Sequence, residues 1–176
     1  MNDHDRLHAE AEAIRARLQD GTIQPSKSEP VVHDVDIEQQ HTETFIVSPS
    51  GEPRAAERAE QKLVFRYRDH MAAKGILVRR KKYVPAGEVR PIYSDAWVED
   101  RLALIEAKNS DSRDAVRQAI GQLYDYRRFH EQPIRLAVLF PYKPNADRLA
   151  LLRSAGVEAV WPHGTGFLDS ASGAFV

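Results

Sequence analysis

The feature that most constrains the fold of this chain is a run of four apolar residues, Leu-Ala-Leu-Ile at positions 102–105, followed at once by Glu106, Ala107 and Lys108. The run is too short for a helix and has the composition of a strand that is buried on both faces. Because side chains alternate along a strand, Glu106 and Lys108 project from the same face, about 7 Å apart. A carboxylate and an ammonium at the end of a buried strand are costly to desolvate. The pattern therefore indicates that the two groups have an interaction partner or a chemical function.

A second carboxylate is expected beside this pair. Residues 91–98 have strand composition, and Glu-Asp-Arg at 99–101 fits a tight connection, so an antiparallel hairpin would bring Asp95 near Glu106. Two carboxylates then meet next to Lys108. Such a group suits Mg²⁺, a hard cation that takes oxygen ligands and often needs only one or two carboxylates in addition to phosphate and water.

A helix and a second buried strand are predicted next. Polar residues at 109–112 offer capping oxygens for a helix that begins near Arg113, and Gln122 and Tyr126 share one face of it because they are four residues apart. Ile-Arg-Leu-Ala-Val-Leu-Phe at 134–140 predicts the strand. A strand–helix–strand unit is right-handed and pairs its strands in parallel. The sequence therefore predicts an α/β fold with a mixed central β-sheet flanked by helices.

Two motifs together resemble the PD-(D/E)xK phosphodiesterase superfamily. Asp95, ten intervening residues and Glu-Ala-Lys at 106–108 match its signature, and Ser94 stands where the name of the motif has proline. Gln122 and Tyr126 look like the Gln-x-x-x-Tyr pair that marks the RecB-like branch. The resemblance covers residues 53–161 and implies a restriction-endonuclease-like core that hydrolyses DNA.

The resemblance also implies roles for the residues of the motif. Asp95, Glu106 and the backbone carbonyl of Ala107 are expected to hold one or two Mg²⁺ ions, with Mn²⁺ as the alternative ion. Lys108 is expected to position the attacking water or to offset negative charge that develops on the phosphate. Gln122 and Tyr126 are expected to steady the site or to touch the DNA backbone.

The resemblance further implies a glutamate on the first helix of the fold that helps to hold the metal or its water; this helix is predicted here over residues 53–74. Glu60 is our choice because it lies at the edge of the apolar stripe of this helix. Glu57, one turn earlier, is the second choice, and a merely solvated glutamate is the alternative for both. The stripe that we expect to be buried consists of Leu63, Val64, Tyr67 and Met71.

Basic residues near the motif are candidates for DNA contact. Four of them stand in a row at 79–82, within a strand predicted over 76–84, and two project from each face. Arg79 and Lys81 form one such pair and are expected to contact phosphates. A solvated charged surface is the open alternative.

The distribution of charged residues divides the chain into two predicted parts, residues 1–50 and residues 51–176. Residues 1–50 contain 4 Lys and Arg against 10 Asp and Glu, whereas residues 51–176 contain 21 against 16, so the positive part coincides with the motif. Residues 1–50 are expected to form an amphipathic helix, with a stripe that includes Leu7 and Leu18, and an acidic linker with little rigid structure over 22–43. The helix either packs on its own domain or makes a homodimer or a larger complex.

The remaining features of the sequence limit the classes of function that are possible. Cysteine is absent, which excludes disulfides and Cys-ligated zinc, and no membrane segment is expected, so the predicted location is the cytoplasm. We expect an Mg²⁺-dependent deoxyribonuclease whose partner is DNA, and by analogy a role in restriction, defence or DNA repair. The alternative is a catalytically silent subunit of a larger complex that binds nucleic acid or docks a protein.

Overall fold

The computed structural model describes residues 29–37 and 52–176, which fold as an α/β structure. The predicted helix that carries Leu7 and Leu18 lies outside these residues. No helix within the described ranges is long and apolar enough to span a membrane. In chain order the elements are β1 (Val31–Val35), α1 (Glu52–Ala72), β2 (Val78–Val84), β3 (Ile92–Tyr93), β4 (Ala96–Val98), a 3₁₀ turn (Glu99–Arg101), β5 (Ala103–Ala107), α2 (Arg113–Arg127), β6 (Arg135–Leu139), α3 (Ala146–Ser154), β7 (Glu158–His163) and β8 (Gly166–Asp169).

The strands form one mixed sheet. Its order is β1-β2-β4-β5-β6-β7-β8, and β3 pairs with β2 outside this path. Strands β5, β6 and β7 are parallel to one another, and the other pairs are antiparallel. The predicted mixed sheet flanked by helices is confirmed, as is the parallel pairing across the strand–helix–strand unit, in which Leu104 lies opposite Leu136.

Helix α1 covers one face of the sheet. All four residues of its predicted stripe are buried there against the alternate side chains of β4 and β5, among them Val98 and Ile105. Helices α2 and α3 cover the other face, where they pack on Trp97, Leu104 and Val138. Burial of these apolar side chains on both faces supplies most of the stabilisation of the central strands.

Strand β1 corrects one expectation. The sequence predicted little rigid structure over residues 22–43, but Val31–Val35 pairs antiparallel with β2, with Val31 opposite Val84 and Val35 opposite Arg80. The ammonium of Lys81 lies 2.8 Å from a carboxylate oxygen of Asp34 and reinforces the pairing. Composition missed the strand because most of its side chains are exposed and its order comes from backbone bonds to β2.

The C-terminal segment packs against α1 and is hydrogen-bonded to it. The hydroxyl of Tyr67 donates a hydrogen bond to the carbonyl of Phe175, and both residues are buried. The amide of Phe175 donates to Asp169 Oδ2 at 2.7 Å. This segment therefore belongs to the core on the α1 face of the sheet.

We expect Tyr67→Phe to lower the free energy of unfolding by about 1–3 kcal/mol, because it leaves a buried carbonyl without a donor. Urea denaturation measures the change. Tyr124→Phe is the matched control: its hydroxyl donates to the carbonyl of Ala155 at 2.7 Å, but its side chain is exposed, so water can replace the bond. Equal losses in the two variants would contradict the assigned role of the Tyr67 hydroxyl.

Candidate functional site

Asp95 directly precedes β4, at the end where β4 is shorter than the neighbouring strand β5. Ala96 pairs with Ile105, so the same register would place Ser94 opposite Ala107, beyond the beginning of β4. The carboxylate of Asp95 fills this gap, and its Oδ2 accepts a hydrogen bond of 2.8 Å from the amide of Ala107. The predicted antiparallel hairpin is thus confirmed, and it brings Asp95 to the end of β5.

The carbonyl of Ala107 is directed toward the same gap. The carbonyl of Leu102 accepts from Arg135 at 2.8 Å, and the amide of Lys108 donates to Leu139 at 3.0 Å, so the even-numbered residues bond to β6. In a strand the backbone groups of alternate residues point to opposite neighbours. The amide and carbonyl of Ala107 therefore both point to the β4 side, where Asp95 lies.

Ser94 holds the Asp95 segment on β2. Its amide donates to the carbonyl of Lys81 at 3.0 Å, its hydroxyl accepts from the amide of Lys81 at 3.0 Å, and its carbonyl accepts from Arg80 Nε at 2.8 Å. A proline at this position would lack the donating amide. Sequence reasoning noted Ser94 only as a departure from the motif and did not single out Arg80.

Glu106 and Lys108 form a buried ion pair. Lys108 Nζ lies 3.0 Å from Glu106 Oε1. Lys108 is 5% exposed and Glu106 is 3% exposed. Glu106 Oε2 is buried and has no hydrogen-bond partner in the described part of the chain. Burial, and next the charge of Asp95, raise the pKa of Glu106 well above its ordinary value, and Lys108 opposes this shift.

Glu60 reaches the same edge of the sheet from α1. Its Oε1 accepts a hydrogen bond of 3.0 Å from the amide of Asn109, directly after Lys108. Burial raises the pKa of Glu60, the charge of Lys108 opposes this, and the charge of Asp95 adds to it. Glu57 is exposed. Of the two glutamates considered from sequence, Glu60 is therefore the one tied to the end of β5.

The donor set of this cluster suits a hard cation. Lys108 is close enough to affect the pKa of both Glu60 and Glu106, and Asp95 adds a further negative charge. Among residues 29–37 and 52–176, nothing donates a hydrogen bond to the buried Glu106 Oε2. Over residues 29–37 and 52–176, no three or more His, Asp or Glu side chains are arranged as a ready metal site. Mg²⁺ commonly binds through one or two carboxylates with water and phosphate, so the residues fit it without a third side chain.

The Gln-x-x-x-Tyr pair lies on the sheet side of α2. Tyr126 is buried and stacks on Tyr83, with the ring centroids 5.3 Å apart, and Tyr83 shares a hydrogen bond of 3.0 Å with His130 Nε2. Gln122 Oε1 is buried with no partner among the residues described. These positions suit the expected steadying role, whereas contact of either residue with DNA stays a prediction.

The two basic residues expected on DNA differ in their surroundings. Arg79 is exposed, opposite Trp97 in the register of β2 and β4. The ammonium of Lys81 lies 2.8 Å from Asp34, 3.7 Å from Glu99 and 4.8 Å from the Trp97 ring centroid. Arg79 is therefore open to a phosphate, whereas Lys81 would have to leave its ion pairs. DNA contact by either stays a prediction.

No protein-family model matches this sequence, and neither the curated proteins nor the solved structures include a significant match to it.

Proposed function

We propose that this chain is an Mg²⁺-dependent deoxyribonuclease that hydrolyses phosphodiester bonds of DNA, with Mn²⁺ as the alternative ion. The observation that supports this most is the environment of Glu106, whose carboxylate is buried with one oxygen bound by Lys108 and the other unpartnered within the described ranges. A buried carboxylate oxygen without a partner is costly, and a proton, a hydrogen-bond donor or a cation can remove that cost. The neighbouring Asp95 and Glu60 favour a cation at this edge of the sheet.

Each residue of the cluster has a distinct role in this proposal. Asp95, Glu106 and the backbone carbonyl of Ala107 would hold the ion. When bound, the ion polarises the scissile phosphate and lowers the pKa of the attacking water. Lys108 would offset the negative charge that develops on the phosphate. Glu60 would orient the water, because the amide of Asn109 fixes one of its oxygens.

The test is cleavage of plasmid and linear DNA by the purified chain with Mg²⁺, with Mn²⁺ and with EDTA. Cleavage should require a divalent ion and should stop when EDTA is added. Cleavage at an unchanged rate in EDTA would refute the metal-dependent mechanism.

Glu60→Gln should lower the cleavage rate by about 10- to 100-fold, because it keeps an acceptor for the amide of Asn109 but removes the charge. Glu57→Gln is the control on the same helix, and its exposed side chain should make it equivalent to the wild type. Initial rates at saturating Mg²⁺ measure both variants. A larger loss in Glu57→Gln than in Glu60→Gln would reverse the assignment.

A second candidate is a nucleic-acid-binding or docking subunit without catalysis. One observation favours it: Lys108 already engages Glu106 Oε1. DNA binding that persists in EDTA, together with no cleavage in Mg²⁺ or Mn²⁺, would favour this candidate over the nuclease.

A further inference from the structure

An aromatic side chain lies close to the acidic cluster, on the next loop of the sheet edge. Strands β5 and β6 are parallel and end at the same edge, where the amide of Lys108 donates to the carbonyl of Leu139. Tyr142 follows β6, and its hydroxyl donates to Asp111 Oδ1 at 3.2 Å. Asp111 is only three residues beyond Lys108, and three residues span at most about 10 Å. The distance between the Tyr142 hydroxyl and the cluster is therefore one that a few nucleotides of DNA can span.

Tyr142 is held in place and yet exposed. The carboxylate of Asp111 that binds its hydroxyl also accepts from the amide of Asn145 at 3.1 Å, and the carbonyl of Asp111 accepts from Arg148 Nε at 3.0 Å. Prolines at 141 and 144 limit the conformations of the loop. Even so, 48% of Tyr142 is exposed. The ring is held both through its Cβ and through its hydroxyl, which limits its movement.

We propose that Tyr142 stacks on an unpaired base within a few nucleotides of the scissile phosphate, and hence that the substrate is single-stranded DNA. This inference rests on the proposed function. Proteins that bind single strands combine aromatic stacking surfaces with positive charge along the backbone, and the exposed Lys143 follows Tyr142 directly. A base in a duplex is already stacked on its neighbours and must be extruded at a cost before a protein ring can reach it. A pre-positioned exposed ring therefore favours a strand whose bases are already free.

Fluorescence anisotropy tests this in EDTA at fixed ionic strength, with labelled oligothymidine and with its duplex with oligoadenine. The wild type should bind the single strand more tightly than the duplex. Tyr142→Ala should weaken single-strand binding by about 5- to 150-fold and leave duplex binding unchanged. Tyr142→Phe, which keeps the ring, should retain most of the affinity.

Tyr124→Ala is the matched control. Tyr124 is also an exposed tyrosine, and its hydroxyl donates to the carbonyl of Ala155. It lies near the end of α2 and contacts the end of α3, whereas Tyr142 precedes the start of α3. Its removal should leave both affinities unchanged.

Each of four results would overturn the proposal: a wild type that does not prefer the single strand, no loss of single-strand affinity in Tyr142→Ala, equal losses on both DNA forms in that variant, or a Tyr142→Phe variant as weak as Tyr142→Ala. The assay needs no cleavage, so it separates this inference from the nuclease proposal. Tyr142-dependent binding without Mg²⁺-dependent cleavage would refute only the nuclease. Metal-dependent cleavage with no effect of Tyr142 would refute only the stacking site.

Discussion

Lys108→Met and Glu106→Gln should each lower the rate of Mg²⁺-dependent DNA cleavage by about 100-fold or more. Lys108→Met removes the ammonium that would meet the charge developing on the phosphate, and groups of this kind contribute about 10²- to 10³-fold in rate. Glu106→Gln keeps the shape of the side chain but removes the negative charge that would hold the ion. Initial rates on linear and single-stranded DNA over a range of Mg²⁺ concentrations measure both effects.

Two exposed residues supply the matched controls for these variants. Lys62→Met on α1 and Glu88→Gln in the loop after β2 make the same chemical changes at exposed positions. They should cleave DNA at the wild-type rate. Far-ultraviolet circular dichroism establishes that each variant is folded. Wild-type rates in folded Lys108→Met and Glu106→Gln would remove the basis for the nuclease assignment.

The same ion pair should produce the largest effects on stability. Lys108→Met should lower the free energy of unfolding by about 3–5 kcal/mol near pH 8, because it leaves the buried carboxylate of Glu106 without its ammonium. The loss should be smaller near pH 5, where Glu106 can take up a proton and become neutral. Urea denaturation at the two pH values measures the difference.

The direction of the pH dependence follows from the pKa of Glu106. Burial raises this pKa above its ordinary value of 4.5, so over the interval between the two values the folded chain holds a proton that the unfolded chain has released. Stability contributed by this group is therefore complete below about pH 4.5 and is lost as the pH rises through the raised pKa.

Glu106→Gln should accordingly show a flatter dependence of stability on pH than the wild type, because the titrating carboxyl group is gone. Combining it with Lys108→Met should recover most of the stability that Lys108→Met loses alone, because no buried charge remains unpaired. Glu88→Gln, at an exposed position, should leave the pH profile unchanged. Parallel pH profiles for Glu106→Gln and the wild type would contradict the raised pKa of the buried Glu106 carboxyl group.

The parts of the site that sequence reasoning found depend on local patterns. Alternation along one buried strand is sufficient to place Glu106 and Lys108 on one face, and the short connection at 99–101 is sufficient to return Asp95 to them. The stripe of α1 follows from helical spacing for the same reason. Each of these predictions needs only residues that are close in sequence.

The parts that it missed depend on contacts between distant segments. Strand β1 is ordered by its pairing with β2, about fifty positions further along the chain, and its own composition carries no such information. Tyr142 comes next to the 108–112 loop only through the parallel register of β5 and β6. The burial of Tyr126 under Tyr83 likewise joins two segments that no local pattern relates.

Asp95 must stay next to Glu106 and Lys108 on the neighbouring strand, and this requirement limits where residues can be inserted into the chain or deleted from it. One residue added within β5 would turn Glu106 and Lys108 toward α1, because every side chain beyond the insertion changes face. The link between the two strands is similarly restricted, since it is a single 3₁₀ turn closed by Leu102 at φ 48°. Residues 86–90 are exposed and lie outside the strands, so insertions and deletions there would leave the spacing of the acidic cluster intact.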